Sequence, residues 1–148
     1  MGGPPEISDD DVLLRRLPPN RDGFVSMTPR EGGGHRATSA FMSVRSGERG
    51  GSCSQLAITS PQDLLEQLRN QGKDPSDWHV CRIFVRDVRA LGLQVVPAPT
   101  DIDPGHCEIR PADGLKFAKR TPQKLARKTR ILTPAEVQTL QAGATLTD

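Results

Sequence analysis

Tyrosine is absent from this chain, tryptophan occurs once and phenylalanine four times among 148 residues. A surface so poor in rings cannot stack several bases in succession, which excludes recognition modes built on aromatic platforms. The three cysteines, Cys53, Cys81 and Cys107, form no Cys-x-x-Cys pair and no even framework. A disulfide-stapled fold is therefore excluded, and a reducing, cytoplasmic setting is expected. No apolar run approaches the roughly 20 residues that span a bilayer. The opening Met-Gly-Gly-Pro-Pro-Glu has neither the basic start nor the apolar stretch of a secretion signal, so no export is expected.

What is present is a modest apolar complement of 34%, interrupted by 14 glycines and 13 prolines. That composition predicts one small α+β domain over residues 12–132, with irregular stretches. A disordered acidic, Pro/Gly-rich lead-in precedes it over 1–11, and a weak helical tail follows over 133–148. Val12–Leu17 reads as a strand stopped by Pro18 and Pro19. Residues 20–34 read as loop, 40–44 as a second strand, and 47–54 as loop again. Ser60 caps a helix that opens at Pro61, places Leu64, Leu65 and Leu68 on one face and ends at Gly72. From His79 to Gly92 the helical spacing sorts Val80, Ile83, Phe84, Val88 and Leu91 against Arg82, Arg86 and Arg89, which predicts a second helix. Strands at 93–96 and 106–110, a basic helix near 122–129 and a Thr133/Glu136 capping signature complete the pattern.

Charge is segregated. The chain carries 20 basic and 18 acidic residues, yet Lys116, Lys119, Arg120, Lys124, Arg127, Lys128 and Arg130 lie within one stretch that contains no acid. The rest of the chain is net acidic, so this stretch is the expected contact surface for an acidic protein partner or a nucleic-acid backbone. The predicted helix puts its cations on one side and turns Leu125 towards the core. The Arg82, Arg86 and Arg89 stripe is a candidate extension of the same surface.

Two further constellations carry chemistry. Gly32-Gly33-Gly34 followed by Arg36, Thr38 and Ser39 is a candidate ligand loop, with glycines for close backbone approach and donors for phosphate or carboxylate. It lacks the Gly-Lys-Ser/Thr ending of a P-loop. His106, where a loop enters a strand, is the best-placed general base, with Ser39, Ser43 and Cys53 as candidate nucleophiles. No metal site is expected, because His79, Cys81, His106 and Cys107 lack zinc-ligand spacing and would point apart.

Three blocks, Val12-Leu13-Leu14-Arg15-Arg16, Arg36–Val44 and Asp103-Pro104-Gly105-His106, together resemble a group of short bacterial proteins with no assigned activity. In that group a Lys-Leu-Ala-Arg/Lys helix follows, here Lys124–Arg127. The resemblance implies Arg15, Arg16, Ser39, Ser43 and His106 as positions of interest. The early strand arginine and the Gly-Arg/Ser segment are also similar to RES-type and ADP-ribosyltransferase-like proteins that consume NAD. That similarity implies NAD as cofactor or substrate, contacts from Arg16 and Arg36, Ser39 or Ser43 lining the pocket, and Glu108 as the late acid. The expectation is thus a small accessory protein that binds through its basic helix, with an NAD- or nucleotide-directed enzyme as the alternative.

Overall fold

Val12–Leu17 forms the expected strand (β1), and its Leu13, Leu14 and Leu17 are almost wholly buried. The computed structural model describes residues 6–20, 25–42, 51–112 and 116–146. After β1 the order is β2 (Met27–Pro29), β3 (His35–Ala37), a 3-10 turn at Ser39–Phe41 and β4 (Gly51–Gln55). Then come α1 (Pro61–Asn70), β5 (His79–Phe84), α2 (Val85–Ala90), β6 (Gln94–Pro97) and β7 (His106–Arg110). The chain closes with α3 (Thr121–Lys128), β8 (Arg130–Ile131) and α4 (Pro134–Thr139). The architecture is α+β: a fully antiparallel sheet in the order β6-β7-β4-β1-β5-β8, with β2 and β3 as a separate hairpin.

Strand periodicity divides the core in two. Leu13 and Leu17 of β1 pack with Cys53, Cys81, Ile83, Cys107 and Ile109 beneath Val88 of α2 and Leu125 and Ala126 of α3. On the opposite face Val12 and Leu14 join Val80, Phe84 and Leu132 beneath Leu64 of α1 and Val137 of α4. Both capped helices form as their sequences predict. Ser60 and Asp63 exchange side-chain and backbone hydrogen bonds at the start of α1, and Thr133 and Glu136 do so at the start of α4.

Several expectations are corrected. Residues 79–92 are not one helix but strand β5 running straight into the short helix α2. The strand lies between β1 and β8, so it is buried on both faces and has no polar alternation for a sequence reading to detect. Residues 51–54 belong to β4 rather than to a loop. The expected strand at 40–44 is a 3-10 turn through Phe41, and its last two residues lie outside the described ones. The loop expected over 20–34 contains β2, and Gly32, Gly33 and Gly34 all take positive φ in the turn that folds β2 back on β3.

Within the expected lead-in, residues 6–11 make contacts with the domain. Ile7 is buried, the amides of Val85 and Arg86 donate to the carbonyls of Asp11 and Asp9, and Arg89 donates to Asp9 Oδ1 (2.6 Å) and to the Ile7 carbonyl (2.7 Å). Among the described residues no helix is long and apolar enough to cross a membrane.

The three thiols are buried, and desolvation pushes their pKa values up, that of Cys81 to about 12. They stay protonated at pH 8, so a thiol reagent should modify the folded protein slowly and all three together once urea unfolds it. Arg130 meets Glu136 with both guanidinium nitrogens at 2.8 Å, and its hydrogen bond holds the Glu136 carboxyl down at about 2. The stabilisation is complete above the ordinary carboxylate range and is lost as pH falls towards 2. Glu136→Gln should flatten the acid limb of a stability–pH curve measured by urea denaturation.

Candidate functional site

Two regions gather polar chemistry, and they lie on opposite faces of the sheet. The first is α3 and its approach. Thr121, Leu125 and Ala126 turn inward, leaving Lys124, Arg127 and Lys128 exposed, while Lys116, Lys119 and Arg120 are exposed just before the helix. Among the described residues none of these six makes an ion pair. Arg127 and Lys128 occupy the last turn, where the helix dipole favours cations. Arg130 departs from the expected surface: it is half-buried and committed to Glu136.

The arginine stripe does not extend this surface. Arg82 is 1% exposed, donates to the Lys128 carbonyl (3.2 Å) and lies over the Phe84 ring at 4.7 Å. Arg86 stacks on the same ring, and Arg89 holds the N-terminal segment. The candidate ligand loop borders α3 but spends its donors internally. Arg36 Nη1 donates to the Ala37 carbonyl (2.9 Å), and Thr38 Oγ1 donates to the Val25 carbonyl (2.7 Å). Thr129 Oγ1 accepts from the Ala37 amide (2.9 Å) and donates to the Ala126 carbonyl (2.7 Å), stitching β3 to the end of α3.

The second region is a cleft of about 500 Å³ on the α1 face of the sheet. Val12, Leu14 and Arg16 share that face by strand alternation, so Arg16 stands where a third apolar residue would extend the core. The register sets Ser54 between Leu14 and His106, and carries Ser52 next to Arg16. Arg16, Ser52, Ser54 and His106 thus form the floor. Leu64, Gln67 and Leu68 of α1 and its C-cap Gln71 make one wall, and Thr100, Ile102 and Asp103 of the β6–β7 loop make the other. Lys73 and Trp78 also line the cleft, with the Lys73 ammonium 5.6 Å from the centre of the Trp78 ring.

Asp103 braces this loop. It is 5% exposed and accepts from the Ser54 hydroxyl, from Thr59 Oγ1 (2.7 Å) and from the Gly105 amide (3.0 Å). His106 Nδ1 lies 2.9 Å from the Ala98 carbonyl. A carbonyl only accepts, so Nδ1 carries the proton and Nε2 is the acceptor of the neutral ring. Arg16 is half-buried; desolvation lowers its pKa and the nearby Asp103 charge opposes that shift. The two make no ion pair, since the carboxylate is already engaged. The hydrogen bond of the Arg16 guanidinium among the described residues is a long one from Nη1 to the Leu64 carbonyl (3.5 Å).

Of the residues expected to form an enzyme site, Arg15, Arg16, Cys53 and His106 line the cleft, while Arg36 and Ser39 lie by α3. Ser43 is outside the described residues. Glu108, the candidate late acid, is bound by Arg110 Nε (2.8 Å) and does not line the cleft. His79, Cys81, His106 and Cys107 are not brought together: two strands, β4 and β1, separate β5 from β7, and Cys107 faces the core while His106 faces the cleft. Sequence reasoning passed over Trp78, Lys73, Ser52 and Ser54. The lone tryptophan was the available signal, because an indole offers a large flat face and an N–H donor that no other residue of this chain supplies.

Gly105 is fixed by space. A Cβ there would sit 2.3 Å from Thr59 Oγ1, so Gly105→Ala must displace the hydroxyl that holds Asp103. Overpacking of this kind costs about 1–3 kcal/mol, which should appear as a lower urea midpoint at unchanged m-value. In comparisons with protein-family models, with curated proteins and with solved structures, nothing matches this chain.

Proposed function

We propose that this protein works by binding, docking α3 and its approach onto a polyanion, with the phosphate backbone of a nucleic acid as the favoured occupant and an acidic protein as the alternative. The observation that carries the reading is the set of six exposed cations, Lys116, Lys119, Arg120, Lys124, Arg127 and Lys128, none paired with an acid among the described residues. No large apolar side chain of α3 is exposed, since Leu125 is buried. A stable protein interface draws on desolvated aromatic and aliphatic anchors, whereas backbone binding needs only charge and reach. The contact would be sequence-tolerant and would read no bases.

The NAD-directed alternative needs Arg16, Arg36, Ser39, Ser43 and His106 to converge. Arg16 and His106 favour a pocket, but Arg36 and Ser39 lie away from it, so the binding reading has the stronger support.

The test is anisotropy of a labelled duplex titrated with the full chain across a salt series. Each phosphate neutralised contributes a slope of about −0.9 in log K against log salt. Lys124→Glu, Arg127→Glu and Lys128→Glu together should weaken binding at least tenfold and make the slope shallower. Equal binding by the folded triple variant would refute the surface. No duplex binding, with salt-sensitive capture of one acidic protein that the triple variant loses, would assign the surface to that protein.

A further inference from the structure

The helices on one face of the sheet cover only part of it. Six strands at about 4.8 Å spacing span about 24 Å, and a helix with its side chains is about 10 Å wide. Packing of α1 and α4 onto Val12, Leu14, Val80 and Phe84 leaves the strip over β4 and β7 to the cleft, and that strip is polar. A partly buried polar floor costs stability unless its groups find partners, and two of its groups have capacity to spare. Arg16 has five N–H donors and uses one of them in a long bond among the described residues. His106 uses Nδ1 on its own loop, which leaves Nε2. The one carboxylate on the walls, Asp103, is already held by Ser54, Thr59 and the Gly105 amide. With Arg16 and Lys73 the cleft therefore has a cationic surplus, and Trp78 supplies a flat ring on the same lining.

We propose that this cleft binds a small molecule carrying a terminal phosphate and a planar ring, of nucleotide class, with Arg16 and Lys73 on the anion, His106 Nε2 accepting from a ligand hydroxyl or ring N–H, and Trp78 against the ring. A volume of about 500 Å³ lies within the ordinary range for such ligands. Planar guanidinium geometry suits a phosphate through two parallel hydrogen bonds. The site is independent of the α3 surface, which is on the other face of the sheet, and either can fail without the other.

Trp78 is the only tryptophan and there is no tyrosine, so intrinsic fluorescence reports on this cleft alone. The experiment titrates the full chain with adenosine monophosphate, inorganic phosphate and adenosine, with calorimetry in parallel. Saturable binding of adenosine monophosphate, tighter than that of either fragment, is expected. Arg16→Gln should weaken it at least tenfold. Lys73→Ala, at an exposed position, should weaken it severalfold while thermal unfolding is unchanged, and this variant decides the matter if Arg16→Gln fails to fold. The α3 triple variant should bind as the wild type does. The proposal is overturned by no saturable signal, by unchanged affinity in Lys73→Ala, or by inorganic phosphate binding as tightly as adenosine monophosphate, which would leave the ring contact without effect.

Discussion

β1 runs between β4 and β5 in the middle of the six-stranded sheet, so both of its faces must be covered by something. Leu13 and Leu17 meet that demand on the side of α2 and α3, and Val12 and Leu14 meet it under α1. The two arginines that follow change the terms. Arg15 stands opposite Cys81 on the cysteine-rich face and donates to the Ser52 carbonyl at 2.5 Å. Arg16 turns to the other face, where apolar packing consequently stops and the cleft begins. One six-residue strand thus sets the register of the sheet, the division of the core and the edge of the polar strip.

The same division keeps the two anion-seeking regions apart. α3 is anchored by Leu125 and Ala126 to the core cluster that contains Leu13, whereas the cleft floor continues the row of Leu14. Their supports differ as well. Thr129 fixes the end of α3 to β3, while Asp103 gathers Ser54, Thr59 and Gly105 to hold the β6–β7 loop. Cys53 is the side chain common to both, lining the cleft and packing in the cluster that holds Leu125.

Local signals were legible and long-range ones were not. Capping residues Ser60 and Thr133, Pro61 at a helix start and Gly72 at a helix end announce α1 and α4, because their chemistry acts within a turn. The basic helix showed in its charges and in the spacing that buries Leu125. β5 was misread because Val80, Cys81, Ile83 and Phe84 are apolar on both sides and Arg82 is buried among them, so no alternation marks the strand. β4 was missed because Gly51-Ser-Cys-Ser-Gln has little strand propensity of its own and is held by β1 and β7. Of the cleft, Arg15, Arg16, Cys53 and His106 were named from the sequence. Ser52 and Ser54 reach it only through strand pairing, and Lys73 and Trp78 enter from the segment between α1 and β5.

Strand pairing also dictates when this chain can fold. β1 is synthesised before the strands it pairs with, since its neighbours lie at Ser54 and Arg82 and the far edge of the sheet closes only at Arg130. At roughly 5–20 residues per second, a Val-Leu-Leu segment waits for seconds beside the ribosome with no partner strand. High contact order of this kind slows folding and leaves apolar strands open to self-association. Arg15 and Arg16 sit directly after the exposed leucines, where paired positive charges repel another copy of the same segment. The arginines that bound the cleft in the finished molecule thus also place charge beside the β1 leucines before the partner strands are made.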